Sequence, residues 1–267
     1  MKKYFSVLLF ICLSVSFFSC TKDNLVPETV IPFQKIGEGY AAGAAVKVEL
    51  YATKALFTGY NSLYLALYDS SSNQPIENAQ ISLMPIMDMG TMKHACPVQN
   101  PSSTATEKLF ACGVVFIMPS GSMGSWSLTV NLGLNGKQGK LTLPVTITDP
   151  VQSRLRSFVS KADNAKYFVA LLQPQNPKVG VNDMEIAIYK AQTMMSYPAD
   201  SSLTVSLTPE MPTMGHGSPN NIDPVHTGNG HYKGKVNFTM TGLWYLNLGF
   251  KAGNVIADTA NHFEVNF

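Results

Sequence analysis

An all-β chain of two tandem β-sandwich domains, carried behind a lipoprotein signal peptide, is what this sequence predicts. Three observations lead there. The chain is written twice, its apolar runs alternate with period two, and Pro, Gly and Asn clusters break every run at short spacing.

Residues 1–19 are predicted to be a signal peptide. Met1-Lys2-Lys3 is a basic tip, Tyr4 to Phe18 is apolar apart from serines, and Ser19-Cys20 follows. That layout fits a secretory signal and is too short for a membrane span. The stretch Ser16-Phe17-Phe18-Ser19-Cys20 resembles a bacterial lipobox with Phe17 in place of the usual leucine, which implies cleavage before Cys20 and a lipid on its sulfur. Residues 20–44 are expected to be the lipidated tether. No later stretch reaches about 18 apolar residues, so the mature chain is expected to be anchored by its lipid. The expected location is the periplasm or the cell-surface face of the outer membrane. Lys22-Asp23 weakly resembles a surface-export signal.

Residues 45–150 and 166–267 are expected to be the two sandwiches, with 151–165 as the linker because its composition is the most helix-compatible. VKVELYA (46–52) and GYNSLYLALYD (59–69) match YFVALLQ (167–173) and GVNDMEIAIYK (180–190) at an offset of 121. ISLMPIM (81–87) answers VSLTPEM (205–211), and VFIM (115–118) answers NFTM (237–240). The run from Trp126 answers the run from Trp244, and LPVTIT (143–148) answers NHFEVN (261–266). Units of about 100 residues are too long for solenoid repeats and suit tandem domains. Leu63, Leu65 and Leu67 alternate with Tyr64, Ala66 and Tyr68, the signature of a half-buried strand. Asn135-Gly136 between two apolar runs is a hairpin signal. Around seven short strands per unit indicate an immunoglobulin-like sandwich.

The charge falls from +2 to about 0 once Lys2 and Lys3 leave with the signal. No basic stripe is present, which argues against a nucleic-acid partner. Of four cysteines, Cys12 leaves with the signal and Cys20 takes the lipid. Cys96 and Cys112 are expected to form a disulfide in an oxidising compartment, stabilising by roughly 3 kcal/mol in the chain-entropy model.

The second unit carries Met211-Pro212-Thr213-Met214, then Gly230-His231-Tyr232, an apolar strand, and Met240-Thr241-Gly242-Leu243-Trp244. These residues resemble the YtkA/FixH-like family, whose pattern is Met-Pro-x-Met, Gly-x-Tyr, Met-x-Gly-x-Trp and a final strand; the resemblance covers roughly residues 180–250. The first unit matches more loosely, with Met87-Asp88-Met89 at the first motif and a longer turn, Ser122 to Ser125, before Trp126. The resemblance implies copper handling, since FixH-type members are associated with respiratory oxidases and other relatives with metal resistance.

Twelve methionines survive processing, and they cluster. Met211, Met214 and His216 lie together in a Gly/Pro-framed segment, with His226 and His231 in the loop beyond as candidates to complete a shell. A weaker cluster is Met87, Met89, Met92 and His94, with Met84 beside it. Residues i and i+2 of an extended chain share a face, so such pairs can converge. Thioether and imidazole suit Cu(I), so copper is the candidate cofactor. The competing expectation is that methionine fills irregular gaps at strand ends. Met118, Met240, Trp126 and Trp244 are assigned to core packing, and His262 to structure. Because Cys96 and Cys112 staple a loop that the second unit leaves open, the first unit reads as the more structural copy.

No nucleophile elbow, P-loop or His-Glu-x-x-His is present, and no carboxylate pair stands out, so an enzyme is not expected. The leading expectation is a lipid-anchored protein that binds copper, or passes it to a membrane partner. That partner would be a copper transporter, an oxidase-assembly protein or an outer-membrane receptor. The alternative is a surface module that binds a protein or glycan through the same loops and aromatics such as Tyr60 and Tyr64.

Overall fold

A computed structural model describes residues 33–267. The predicted signal peptide, Cys20 and the tether up to residue 32 lie outside the described residues. Those described form eighteen strands and no helix. The first nine are β1 (Gln34–Ala41), β2 (Val46–Ala52), β3 (Gly59–Asp69), β4 (Gln80–Asp88), β5 (Lys93–His94), β6 (Val98–Gln99), β7 (Phe110–Phe116), β8 (Ser125–Leu134) and β9 (Lys137–Val145). The next nine are β10 (Leu155–Val159), β11 (Lys166–Gln173), β12 (Gly180–Ala191), β13 (Leu203–Met211), β14 (His216–Gly217), β15 (Ile222–Gly228), β16 (His231–Phe238), β17 (Leu243–Ala252) and β18 (Val255–Asn266).

Each set of nine makes one sandwich with the same topology. Sheet β1-β2-β3-β7-β6 faces β5-β4-β8-β9, and β10-β11-β12-β16-β15 faces β14-β13-β17-β18. Without the leading strand this is the immunoglobulin-like division of strands A, B, E and D from C, F and G. The alternation predicted from sequence is realised along β13, where Leu203, Val205, Leu207 and Met211 are buried and Thr204, Ser206, Thr208 and Glu210 are exposed. In β8, Trp126, Leu128, Val130 and Leu132 do the same. Asn135 and Gly136 both have positive φ, 49° and 77°, and close the two-residue β8–β9 hairpin. Each sandwich has its own core, centred on Trp126 in the first and on Trp244 in the second.

Three expectations need correction. Residues 34–41, assigned to the tether, form β1 and pair with β2. Residues 155–159, assigned to the linker, form β10 and pair with β11. Leu155 lies 121 positions after Gln34, so the two are the same strand in the two copies. Neither carries a strong apolar alternation. β1 is held by backbone pairing and by glycines that let Leu141 and Leu143 approach; a Cβ on Gly39 would stand 2.7 Å from Leu141 Cδ1. β10 is fixed by Phe158, stacked between Tyr167 and Phe250 at 5.3 and 4.9 Å.

The third correction concerns the cysteines. Cys96 and Cys112 are free thiols, both buried in the first core. Cys112 lies on β7 opposite Leu63 and donates to the Leu63 carbonyl at 3.5 Å. Burial pushes the Cys112 thiol up to about 12 and raises Cys96 well above the ordinary range. The thiolate that disulfide exchange needs is therefore suppressed, and each thiol packs as a small hydrophobe.

On the outer face of β1 and β2, Glu49 is ringed by cations and a phenol. Burial alone would raise its carboxyl, but hydrogen bonds from Lys47 (2.8 Å), Tyr51 (2.6 Å) and Lys35 (2.9 Å) outweigh it and hold the group at about 2. A carboxyl depressed in the folded state contributes stability above its unfolded value, 4.5, that is lost as pH falls toward about 2. Glu49→Gln should therefore lower stability at pH 7 by about 1–3 kcal/mol and flatten the acid limb between those pH values. Urea titrations at stepped pH read both effects; an unchanged acid limb would dismiss the role given to Glu49.

The two sandwiches meet along a seam. The second unit's apolar runs lose their alternation here: Val169, Ala170 and Leu171 are all buried, as are Ile186 to Tyr189. The extra buried side chains, Ala170, Ala187 and Tyr189, form a third apolar cluster with Val115 of the first sandwich. Gln99 sits at the polar centre. Its Oε1 accepts from Tyr60 at 2.7 Å, and its Nε2 donates to Tyr189 Oη at 2.8 Å and to the Asn229 carbonyl at 3.2 Å. Ala95 N–H also donates to the Met194 carbonyl at 2.9 Å.

Candidate metal centre

β4 and β13 end in the methionines singled out above, and each chain then reverses into a two-residue return strand. The second reversal is closed by Met214 and Gly215 N–H groups on the Met211 carbonyl, at 3.1 and 2.9 Å, with Gly215 at φ +64°. The return strands place His94 directly opposite Met87 and His216 directly opposite Met211. Opposed residues on one face have Cβ atoms about 5 Å apart, so ring and thioether are neighbours by construction.

Both histidines are oriented identically. His94 Nδ1 lies 2.9 Å from the Ala95 carbonyl, and His216 Nδ1 lies 3.0 Å from the Gly217 carbonyl. A carbonyl can only accept, so Nδ1–H is the donor in this contact, and in that tautomer Nε2 is the acceptor nitrogen. This is the arrangement metal-binding histidines adopt, with one nitrogen tied to a carbonyl or carboxylate and the other left to ligate. Each ring also meets an indole edge-on, His94 with Trp126 at 5.3 Å and His216 with Trp244 at 5.9 Å.

The tryptophans bring in a second methionine. Trp126 Nε1 donates to the Met118 carbonyl at 2.9 Å, and Trp244 Nε1 to the Met240 carbonyl at 3.0 Å. In the first sandwich this sets Met118 Sδ 3.1 Å from His94 Nε2. Met240 occupies the corresponding place in the second, half-exposed at 39 %. The glycine before each tryptophan makes room for the first methionine. A Cβ on Gly242 would stand 2.8 Å from Met211 Cε, and one on Gly124 would stand 3.1 Å from Met87 Cε.

The structure thus brings together Met211 and His216, and Met87 and His94. In the first sandwich it adds Met118, which the sequence reading assigned to packing, and in the second Met240 stands at the matching chain position, its carbonyl bonded to Trp244. Their signal was in the repeat, since both copies place a methionine just before the Gly/Trp turn. Other candidates stand apart. Met214 is 61 % exposed at the tip of its turn, Met84 and Met92 are exposed, and Met89 packs partly against the first core. His226 lies on β15, in the opposite sheet, with its ring against Tyr232 at 5.2 Å. His231 lies on β16 in the seam. Its Nδ1 is 2.7 Å from Glu185 Oε1 and its Nε2 is 2.6 Å from Gln99 Nε2, so both nitrogens are engaged. Nearness in sequence suggested them as further ligands, but they belong to the other sheet. Among the described residues no group of three His, Cys, Asp or Glu could hold a metal ion. The donor set on offer is soft, two thioethers and one imidazole, and it fits a monovalent copper ion.

Tyr60 and Tyr64, the aromatics of the surface-binding alternative, are both engaged within the chain. Tyr60 bonds Gln99 in the seam, and Tyr64 stacks on Phe33 with ring centroids 4.1 Å apart.

Residues 161–249 match the family model described as YtkA-like, a span that holds Met211, His216, Met240 and Trp244. Comparison with the curated proteins finds no match. Among solved structures, the chain is similar to FdeC, an Escherichia coli adhesin, at 12 % identity and a TM-score of 0.28, over 85 % of this chain and 65 % of that one. It spans, then, just under two thirds of the adhesin chain. It is also similar to domains 5-6 of the S-layer protein SbsC, at 11 % identity and TM-score 0.25, over 88 % of this chain and 96 % of that one. A conserved domain protein from Bacillus anthracis matches at 12 % identity and TM-score 0.29, over 82 % and 78 % of the two chains.

Proposed function

We propose that this chain, whose second sandwich is a YtkA-like domain, is a lipid-anchored extracytoplasmic protein that binds Cu(I) and passes it to a membrane partner. Its exchangeable site is Met211, His216 and Met240 beside Trp244. The observation that carries this reading is the placement of His216, directly opposite Met211 with its Nδ1 3.0 Å from the Gly217 carbonyl, which leaves Nε2 as the nitrogen available to a ligand. Packing alone gives no reason to fix an imidazole that way. Thioethers and neutral imidazole suit a soft monovalent cation. The exposure of Met240, and of Met214 at the turn, leaves this site open for hand-over to a copper transporter, an oxidase-assembly protein or an outer-membrane receptor. No group in this reading performs catalysis.

The test is a Cu(I) titration of the chain against a chromophoric chelator under anaerobic, reducing conditions. Replacing Met211 and Met240 with Leu conserves volume, so stability should change by less than about 1.5 kcal/mol per site. Affinity at the site that reports through Trp244 should fall at least about 100-fold, beyond what loss of an outer-shell partner produces. Parental affinity in the double variant would mean that these methionines only pack.

A further inference from the structure

The first sandwich was expected to be the structural copy, yet it holds the tighter constellation. His94 is only 6 % exposed and Met87 is fully buried. His94 Nδ1 is committed to the Ala95 carbonyl, and Nε2 faces Met118 Sδ at 3.1 Å. The 3.1 Å contact is a hydrogen bond to sulfur when Nε2 carries the proton; with the proton on Nδ1, Nε2 and Sδ are two soft donors facing one buried point, where an electron-poor centre can accept a lone pair from each. Met87, directly opposite His94 on β4, supplies a third soft donor.

We infer that the first sandwich contains a second soft-metal site for monovalent copper, made by Met87, His94 and Met118 beneath Trp126. It is shielded from solvent, so it loads and releases its ion more slowly than the open site. The inference rests on the copper reading of the second sandwich and adds a different role, retention beside exchange. Binding is a simple coordination step in which Nε2 and the thioether sulfurs donate lone pairs to Cu(I), with no proton released from the ring and no change of oxidation state. Metal–nitrogen and metal–sulfur bonds of about 2.0 and 2.3 Å, as for zinc, require the 3.1 Å gap to widen by some tenths of an ångström. The unbranched Met118 side chain can accommodate that.

The surroundings suit a guarded entrance. The turn at 193–196 of the second sandwich lies against the chain neighbour of His94, through the bond from Ala95 N–H to the Met194 carbonyl. It carries Met194 and Met195, which are both exposed, and Met92 is exposed on the turn between β4 and β5. Thioethers on the surface at this end of the sandwich can hold an incoming soft ion while the buried set takes it up.

Trp126 and Trp244 are the chain's two tryptophans, one at each site, so they report the sites separately. Trp244→Phe leaves Trp126 as the probe, and Trp126→Phe leaves Trp244. Cu(I) should bind at two equivalents per chain, with Trp126 emission quenched at least about tenfold more slowly than Trp244 emission. Met118→Leu in the Trp244→Phe background should abolish the Trp126 response. Met118→Leu in the Trp126→Phe background should leave the Trp244 response intact. As a measurement that needs no tryptophan change, the Met211→Leu/Met240→Leu chain should retain one copper, with nitrogen and sulfur neighbours by X-ray absorption and slow removal by chelator. A Trp244 response without a Trp126 response overturns this inference and leaves the exchange site standing. A Trp126 response alone supports it and overturns the exchange site, and silence at both overturns both. Persistence of the Trp126 response in Met118→Leu also overturns it, because copper would then sit on other donors such as the Cys96 or Cys112 thiols.

Discussion

Trp244→Ala is expected to destabilise the second sandwich by about 3–5 kcal/mol, the range for truncating a large buried aromatic. Trp244 is fully buried and packs its indole against Phe238 at a centroid distance of 5.5 Å. Its loss removes that packing, empties the centre of the core and leaves the Met240 carbonyl without the indole donor. The same change also removes the edge that His216 rests on, so under the proposed function Cu(I) affinity should fall together with stability. Trp244→Phe keeps most of the volume and loses the hydrogen bond to Met240, so its cost should be smaller, about 1–3 kcal/mol. Urea unfolding of the three proteins, followed by circular dichroism, gives the comparison. If alanine and phenylalanine variants lose equal stability, the core does not rest on the indole's bulk.

Gln99→Leu is expected to separate the unfolding of the two sandwiches, which the seam is expected to couple in the parent. Leucine is close in size to glutamine but cannot bond Tyr60, Tyr189 or His231. In the parent, His231 lies between Glu185 and Gln99, its Nδ1 2.7 Å from Glu185 Oε1 and its Nε2 2.6 Å from Gln99 Nε2. The variant leaves the Tyr189 hydroxyl, on a residue 1 % exposed, without the Gln99 amide. One orphaned buried group costs about 1–3 kcal/mol, and here the loss falls on the contact between sandwiches. Single-tryptophan chains follow each sandwich separately. Coincident curves with an unchanged midpoint in Gln99→Leu would show that the apolar cluster alone holds the seam.

The sequence announced the strands whose two faces differ. β4, β8, β13 and β17 each have one face in a core and one toward solvent, and their alternation is plain in the residues. β1 and β10 escaped because backbone pairing, close-set glycines and a single Phe158 hold them, and none of these gives a period. The seam escaped for the opposite reason. In YFVALL and EIAIY both faces are buried, so alternation disappears, and that continuous apolar stretch was the available sign of a second covering surface. The candidate site was half legible. Met211 with His216 and Met87 with His94 follow from strand reversal, which short-range spacing can suggest. Met118 and Met240 come from the loop that crosses from one sheet to the other, and only the repeated Met-then-Trp order pointed to them. His226 and His231 were near in sequence but belong to the facing sheet, which depends on strand order rather than spacing. The cysteine pairing rested on compartment chemistry, which does not register that both thiols are buried as packing groups.

The seam between the sandwiches also governs how the molecule can meet a partner. Two beads on a slack string would each lose translational and rotational freedom when captured, and each would search for its own target. Here the contacts of Gln99, Tyr189 and Met194 make the pair one body. Docking at either sandwich therefore orients the other, and the freedom of motion is lost once. The local concentration of the second cradle beside a partner is then set by a fixed lever arm, with no dependence on linker length. A partner that docks at one end of this body finds the other end always at the same bearing.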